Sequence, residues 1–154
     1  MRKALFFTLI LLMLLGAAYG ADCRGREFTT LDGKQVKLSD FEGRRLLLVF
    51  WTTWCPWCRK QMEQLKGLYE NYRGEVAVLA VSVDREREKL ESFVQEKGLP
   101  FPVIHDESRS LSACYGGIRA YPTLLILDEN LRVQRRFTGF VHRDILEAEL
   151  FSSF

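Results

Sequence analysis

The sequence has few residues that could complete a metal site. It has two histidines, His105 and His142, which stand far apart, and only one Cys-x-x-Cys pair, Cys55 and Cys58, among its four cysteines. A structural zinc site normally needs a second such pair or a closely spaced pair of histidines. We therefore expect no metal ion and no other cofactor.

The sequence also lacks an excess of charge of one sign. Without residues 1–20, it carries 20 basic and 20 acidic residues. The basic residues are interspersed with acids, as in "DREREKLE", and form no continuous basic stretch. Nucleic acids and anionic membrane surfaces are therefore not expected as partners.

Long apolar runs are absent except near the N-terminus. There "ALFFTLILLMLLGAA" follows Arg2 and Lys3 and is followed by "AYG". This order predicts a signal peptide over residues 1–20. The run is shorter than the roughly 20 residues that span a bilayer, although an uncleaved membrane anchor is the alternative. We expect a periplasmic or otherwise extracytoplasmic protein with one domain over residues 21–154.

No linker or repeat interrupts residues 21–154, in which predicted strands alternate with predicted helices. "FTTLDGKQVKL" indicates a hairpin around Asp32 and Gly33. "RRLLLVFWTT" and "EVAVLAVSVD" are apolar enough for strands buried on both faces. A later hairpin, "PTLLILDENLRVQRRFTGF", adds antiparallel strands. The prediction is one α/β domain with a central mixed sheet flanked by helices.

The stretch "FWTTWCPWCRKQ" lies where a buried strand passes into a helix. Proline is favoured in the first helical turn, so Pro56 puts Cys55 at or beside the N-cap. Cys58 then begins a stripe that faces the sheet and continues through Met62, Leu65, Tyr69 and Tyr72. The spacing predicts an exposed Cys55 and a shielded Cys58.

This asymmetry favours thiol–disulfide exchange. A helix N-terminus stabilises a thiolate, so Cys55 can attack a disulfide, and Cys58 can then resolve the mixed disulfide. A purely structural disulfide between them would close a very small loop and stabilise the fold little. We therefore predict that Cys55 and Cys58 form a redox-active disulfide.

Two segments resemble thioredoxin-fold proteins. "LLLVFWTTWCPWCRKQMEQL" is similar to their active-site strand and helix, and "GGIRAYPTLLILDENLRV" to their later segment with a cis proline. The N-terminal hairpin and an extra helix and strand between about Arg85 and Ile104 resemble the exported TlpA/ResA-like redoxins. The resemblance implies a thioredoxin fold in which Pro122 is cis and faces the cysteine pair, and the backbone of Tyr121 pairs with an extended substrate peptide.

The resemblance also implies that residues beside the cysteines contact substrate. Trp54, Pro56 and Trp57 are the candidates, and packing in the core is an equal alternative for Trp54. Val49 stands where thioredoxin has a buried aspartate, so the proton acceptor is left open. Asp84 and Glu86 are nearby acids, whose ordinary roles would be a helix cap and a solvated first-turn acid, respectively.

The activity implied by the resemblance is reduction of disulfides in extracytoplasmic proteins, such as apocytochromes c. A membrane thiol carrier would supply electrons, and the protein is expected to be a monomer. Disulfide oxidation or isomerisation is an alternative, because Pro56 cannot donate a backbone hydrogen bond to the thiolate. A peroxiredoxin-like peroxidase would need a Pro-x-x-x-Thr-x-x-Cys motif, and a copper chaperone would need a wider cysteine spacing and a histidine. The sequence has neither the motif nor the wider spacing, and the segment around Pro122, "GGIRAYPT", contains no histidine.

The remaining cysteines have no assigned role. Cys114 is predicted near the end of a short amphipathic helix, where it could be a small buried apolar residue. Cys23 stands close to the start of the predicted mature chain. An even number of cysteines in an exported protein allows the two to pair. Whether they do is left open.

Overall fold

A computed structural model describes residues 23–152 of the chain. The predicted signal peptide, residues 1–20, lies outside this range. Within residues 23–152, no helix combines the length and apolar character needed to cross a membrane.

The secondary structure follows the predicted order. A hairpin of β1 (Glu27–Thr29) and β2 (Gln35–Lys37) is followed by β3 (Arg45–Trp51), α1 (Pro56–Asn71), β4 (Val76–Ser82), α2 (Arg87–Lys97) and β5 (Val103–His105). The chain then forms α3 (Ser110–Cys114), β6 (Thr123–Leu127), β7 (Val133–Thr138) and α4 (Arg143–Phe151). Short 3-10 turns cover Cys23–Gly25 and Leu38–Phe41.

The central sheet is mixed and has the strand order β5-β4-β3-β6-β7. Strands β3, β4 and β5 are parallel, whereas β6 is antiparallel to β3 and to β7. Because β3 and β4 lie inside the sheet and are covered on both faces, nearly all of their residues are buried. This burial explains the two continuous apolar runs in the sequence.

The two faces of the sheet have different coverings. On β3, Leu47, Val49 and Trp51 point to the face covered by α1, α2 and α4. The alternate residues Leu46, Leu48 and Phe50 pack against the N-terminal hairpin region and α3. The predicted thioredoxin fold, with its extra hairpin and its inserted helix and strand, is confirmed.

A disulfide joins Cys23 to Cys114, with 6.2 Å between their Cα atoms. It connects the turn before β1 to the end of α3, across a sequence separation of 91 residues. The question left open by the sequence is thus answered: these two cysteines pair with each other. The N-terminal segment is thereby fixed to the face of the sheet away from α1.

Candidate active site

Cys55 and Cys58 lie where β3 passes into α1. Cys55 is the N-cap of α1, in an extended conformation, and Pro56 is the first helical residue. The Cys58 backbone N–H donates a hydrogen bond to the Cys55 sulfur across 3.2 Å. This contact stabilises negative charge on the sulfur, because a helix N-terminus presents N–H groups that have no partner within the helix.

The two sulfurs are free thiols of different accessibility. Cys58 has no exposed surface, and Cys55 is 8% exposed. The prediction of a shielded Cys58 is correct, but Cys55 does not stand at an exposed tip. The loop before β6 lies against it, and the Cys55 thiol donates a long hydrogen bond of 3.7 Å to the Tyr121 carbonyl. Of the two cysteines, only Cys55 has any exposed surface.

The pKa of Cys58 is raised above its ordinary value. Burial is the main cause, and hydrogen bonding and charge interaction with Cys55 add to it. The backbone and hydroxyl of Thr52 act in the opposite direction by favouring the ionised sulfur. Cys58 is therefore a neutral thiol as long as Cys55 is a free thiol.

The Thr52 hydroxyl is one of two buried side-chain polar atoms in residues 23–152 that have no hydrogen-bond partner, and the other is the Trp51 indole nitrogen. Thr52 has no exposed surface, and its Oγ1 has no hydrogen-bond partner in this part of the protein. Buried hydroxyls usually have a partner, and an exception needs an explanation. This hydroxyl acts to lower the pKa of Cys58, so we expect it to donate to the Cys58 sulfur only when that sulfur is ionised.

A buried carboxylate supports the turn that precedes Cys55. Asp84, only 4% exposed, accepts hydrogen bonds from the Thr53 N–H at 3.0 Å and from the Thr53 hydroxyl at 2.7 Å. It also accepts one from the Ser82 hydroxyl at 2.6 Å. The expectation that Asp84 caps the following helix is therefore wrong: Glu86 occupies the N-cap of α2 and forms a solvated ion pair with Lys89.

The candidate substrate-contact residues lie around Cys55. The Tyr121–Pro122 bond is cis, as the resemblance implied. Trp54 and Trp57 are 67% and 57% exposed, so the alternative that Trp54 packs in the core is wrong. Pro56 is exposed beside them.

A shallow cleft next to the cysteines includes a residue that the sequence did not single out. It is lined by Trp57, Tyr121, Gly139 and Phe140. The rings of Trp57 and Phe140 lie 5.7 Å apart, measured between centroids. Phe140 follows β7, far from the cysteine motif in sequence, and the motif "TGFVH" carries no pattern that indicates a binding residue.

Gln61 is a second feature that the sequence analysis did not identify. It has no exposed surface, and its side chain exchanges two hydrogen bonds with the backbone of Val141. Gln61 Nε2 donates to the Val141 carbonyl at 3.1 Å, and the Val141 N–H donates to Gln61 Oε1 at 2.8 Å. This pair of bonds ties α1 to the loop that carries Phe140.

The histidines do not complete a metal site. His105 Nε2 lies 2.7 Å from the backbone carbonyl of Asp84, and His142 packs edge-on against Phe140. Among residues 23–152, no cluster of three or more histidine, cysteine, aspartate or glutamate side chains could hold a metal ion. The site consists of two thiols and the groups that control access to them.

A cysteine pair in the first turn of the helix after a central strand, opposite a cis proline, defines the thioredoxin-like thiol–disulfide oxidoreductases. The model of the AhpC/TSA family matches residues 20–136, and the chain belongs to this family. It is also 30% identical to the thiol-disulfide oxidoreductase ResA of Bacillus thuringiensis (strain Al Hakam), over 97% of this chain and 96% of that protein.

Two further comparisons agree with this assignment. The chain is 31% identical to the thioredoxin-like protein YneN of Bacillus subtilis (strain 168), over 88% of this chain and 81% of YneN. The crystal structure of StoA from Bacillus subtilis superimposes with a TM-score of 0.70 at 25% identity. The superposition covers 79% of this chain and 92% of StoA.

Proposed function

We propose that the protein reduces disulfides in extracytoplasmic proteins, with Cys55 as the attacking thiolate and Cys58 as the resolving thiol. The observation that carries this proposal is the asymmetry of the pair. The Cys55 sulfur accepts an N–H bond and is reachable, whereas Cys58 is fully buried and held neutral. One sulfur is thus prepared to attack and the other is withheld until a mixed disulfide exists.

The exchange takes place in two steps. The Cys55 thiolate attacks one sulfur of the client disulfide, the client S–S bond breaks, and the second client sulfur leaves as a thiolate. Cys58 then attacks the Cys55 sulfur, forms the Cys55–Cys58 disulfide and displaces the first client sulfur. The proton of Cys58 leaves on that sulfur, so the client gains two electrons and the protein loses two.

The cleft beside Cys55 supports binding of an extended client segment. Trp54 and Trp57 offer exposed aromatic surface next to Cys55. The Tyr121 carbonyl accepts the hydrogen bond of the Cys55 thiol, and Pro122 follows it across a cis bond. Tyr and Trp are well suited to this role because they combine a large apolar surface with few rotatable bonds. We assign these four residues and Pro56 to client binding.

The extracytoplasmic location rests on the second cysteine pair. The Cys23–Cys114 bond is a disulfide that persists in an oxidising compartment and would be reduced in most cytosols. A signal peptide over residues 1–20 accords with this location. Apocytochromes c awaiting haem are the clients that we propose, with a membrane thiol carrier restoring the dithiol of a monomeric protein.

Covalent trapping tests the roles of the two cysteines. With Cys58→Ser, we expect a stable mixed disulfide between Cys55 and a client such as reduced-and-reoxidised apocytochrome c, seen as a dithiothreitol-sensitive band. Cys55→Ser should trap little, because Cys58 is buried. Equal trapping by the two variants would overturn the assignment, and so would rapid turnover of hydrogen peroxide without any disulfide substrate.

The reduction potential of the Cys55–Cys58 pair tests the direction of electron flow. Strong disulfide oxidants have potentials near about −120 mV, whereas reductants such as thioredoxin lie near about −270 mV. We expect a value at the reducing end, measured by equilibration with glutathione buffers. A value close to that of the oxidants would instead favour disulfide formation in clients, the alternative suggested by Pro56.

A further inference from the structure

The exposed charges on the three segments that border the cysteine pair are all of one sign. Three segments border the cysteine pair, residues 52–60, 116–123 and 139–142, and we call them the rim. The rim contains three exposed cationic side chains, Arg59, Lys60 and Arg119, and no aspartate or glutamate. Residues 21–154 as a whole carry equal numbers of basic and acidic residues. The rim is therefore a local departure from an otherwise balanced chain.

Lys60 is held at the aromatic side of the rim. Its ammonium lies 5.3 Å from the centroid of the Trp57 ring and 4.9 Å from that of Phe140. These are favourable cation–π distances, and they place a positive charge at the edge of the cleft. Within residues 23–152, Lys60 forms no ion pair, so its charge is available to a carboxylate from outside.

Arg119 lies on the loop before β6, which borders Cys55. It lies two positions before Tyr121, whose carbonyl accepts the hydrogen bond of the Cys55 thiol. Its side chain is exposed and is in no ion pair in the described part of the chain. Two of the segments that border Cys55 thus each carry a cation outside any ion pair of the described residues, Lys60 on α1 and Arg119 on the loop before β6.

The acids near the rim lie on the side of Arg59, where Glu88 and Glu96 line a cleft with Thr53 and Arg59. Asp84 is buried and bonded to Thr53, and Glu86 is paired with Lys89 across 2.7 Å. Glu63, one helical turn beyond Lys60, lies 3.9 Å from Lys97. None of these carboxylates neutralises Lys60 or Arg119.

We propose that the rim selects client disulfides in acidic segments that also carry a large apolar side chain. The client's aromatic or aliphatic residue would seat on Trp57 and Phe140, and its carboxylates would face Lys60 and Arg119. Attraction between such exposed charges acts within about 8–10 Å at moderate salt and mainly accelerates encounter. This inference rests on the proposed function, and it names the substrate class of the same site.

Matched disulfide peptides test the selection. Two peptides of equal length contain phenylalanine and one disulfide, with glutamate on both sides of each cysteine in one peptide and lysine in the other. We expect the dithiol protein to reduce the acidic peptide faster, by on the order of tenfold in kcat/KM at low salt. The difference should shrink as salt is raised, because exposed charges are screened.

Charge-reversal variants locate the effect. Lys60→Glu combined with Arg119→Glu should remove or reverse the preference. Arg26→Glu combined with Arg44→Glu serves as the matched control, because both arginines are exposed and outside the rim. It should leave the preference intact.

The two proposals fail in different ways. If none of the peptides is reduced, the proposed disulfide reduction is wrong. If the acidic and basic peptides are reduced at equal rates, and Lys60→Glu with Arg119→Glu changes nothing, the selection is wrong while disulfide reduction stands. An unchanged acidic preference in Trp57→Ala combined with Phe140→Ala would support the charge contribution. A further acidic peptide with alanine in place of phenylalanine tests the aromatic contribution. A wild-type preference for the phenylalanine peptide that is lost in Trp57→Ala with Phe140→Ala would support that contribution, and equal rates with both peptides in the wild type would contradict it.

Discussion

The two cysteine pairs of this protein differ in sequence separation and in bonding. Cys23 and Cys114 are 91 residues apart and joined, whereas Cys55 and Cys58 share one helical turn and are free thiols. A disulfide that closes a long loop restricts the unfolded chain strongly, while one that closes a very short loop restricts it little. Sequence separation therefore predicts a stabilising role for the first pair, and it is compatible with the exchange that we propose for the second.

Local surroundings reinforce this division. The Cys55 sulfur accepts a backbone N–H from the first turn of α1, and burial keeps Cys58 neutral. Cys23 and Cys114 instead connect a 3-10 turn to the end of a five-residue helix, on the other face of the sheet. Variants that remove one pair at a time should separate activity from stability.

The largest effect is expected on activity when the inner pair is removed. Cys55→Ala combined with Cys58→Ala should lower disulfide reduction by at least about 10³-fold, because neither step of the exchange is then possible. The free energy of unfolding should change little compared with the wild-type dithiol form. Insulin reduction and urea unfolding measure the two quantities. A large loss of stability would mean that the inner pair is also structural.

The converse change should affect stability. Cys23→Ala combined with Cys114→Ala should lower the free energy of unfolding by about 2–5 kcal/mol, the range observed when a native disulfide is removed. The unfolding temperature of the variant should be lower than that of the wild type. At temperatures where the variant is still folded, it should reduce insulin at close to the wild-type rate. A folded variant that has lost activity would contradict the separation of roles.

The pH dependence of stability in the dithiol form should show the raised pKa of Cys58. The ordinary pKa of a thiol is 9.0 here, and that of Cys58 in the folded dithiol form is higher. As pH rises past about 9, the unfolded chain releases the Cys58 proton and the folded chain retains it. The dithiol form should therefore lose up to about 1.4 kcal/mol of stability per pH unit from this group.

Urea unfolding between neutral and alkaline pH measures this loss. Cys58→Ala in its Cys55 thiol form is the matched control, since it keeps every other titrating group. The wild-type dithiol should lose stability with pH more steeply than the control. Parallel curves would show that Cys58 ionises as readily in the folded protein as in the unfolded chain.

The smallest effect concerns the Thr52 hydroxyl. Thr52→Val keeps the shape of the side chain and removes the hydroxyl that favours the ionised Cys58 sulfur. Resolution of the mixed disulfide should slow by about tenfold, the effect of one lost hydrogen bond to a charged group. Because the hydroxyl has no other partner in residues 23–152, stability should stay equal or increase.

Single-turnover release of a chromogenic thiol from Cys55 measures the resolving step. Thr52→Ser restores a hydroxyl and should resolve faster than Thr52→Val. If both variants resolve at the wild-type rate, the hydroxyl does not act on Cys58.

The sequence predicted those features that depend on neighbouring residues. Pro56 and the apolar stripe that starts at Cys58 were sufficient to place the cysteine pair in the first turn of a helix with one buried face. The cis bond before Pro122 followed from family resemblance, not from periodicity. The role of Cys55 remains a prediction, although its N-cap position is confirmed.

Contacts between distant segments were beyond the sequence. Asp84 meets Thr53 across 31 positions, and Gln61 meets Val141 across 80. The burial of Cys55 depends on Tyr121, which is 66 positions away. Such contacts depend on how strands and helices assemble, and a single sequence carries no local pattern for them.

The amide bridge between Gln61 and Val141 has a consequence for operation under changing conditions. Gln61 has no charge to gain or lose, and its oxygen and nitrogen are both engaged with the same backbone unit. A change of pH or of the redox state of the thiols therefore adds no charge to, and removes none from, the groups that form these two hydrogen bonds. The loop that carries Phe140 is thus attached to α1 by two hydrogen bonds that contain no titratable group, so a change of pH can alter the thiols without breaking this attachment.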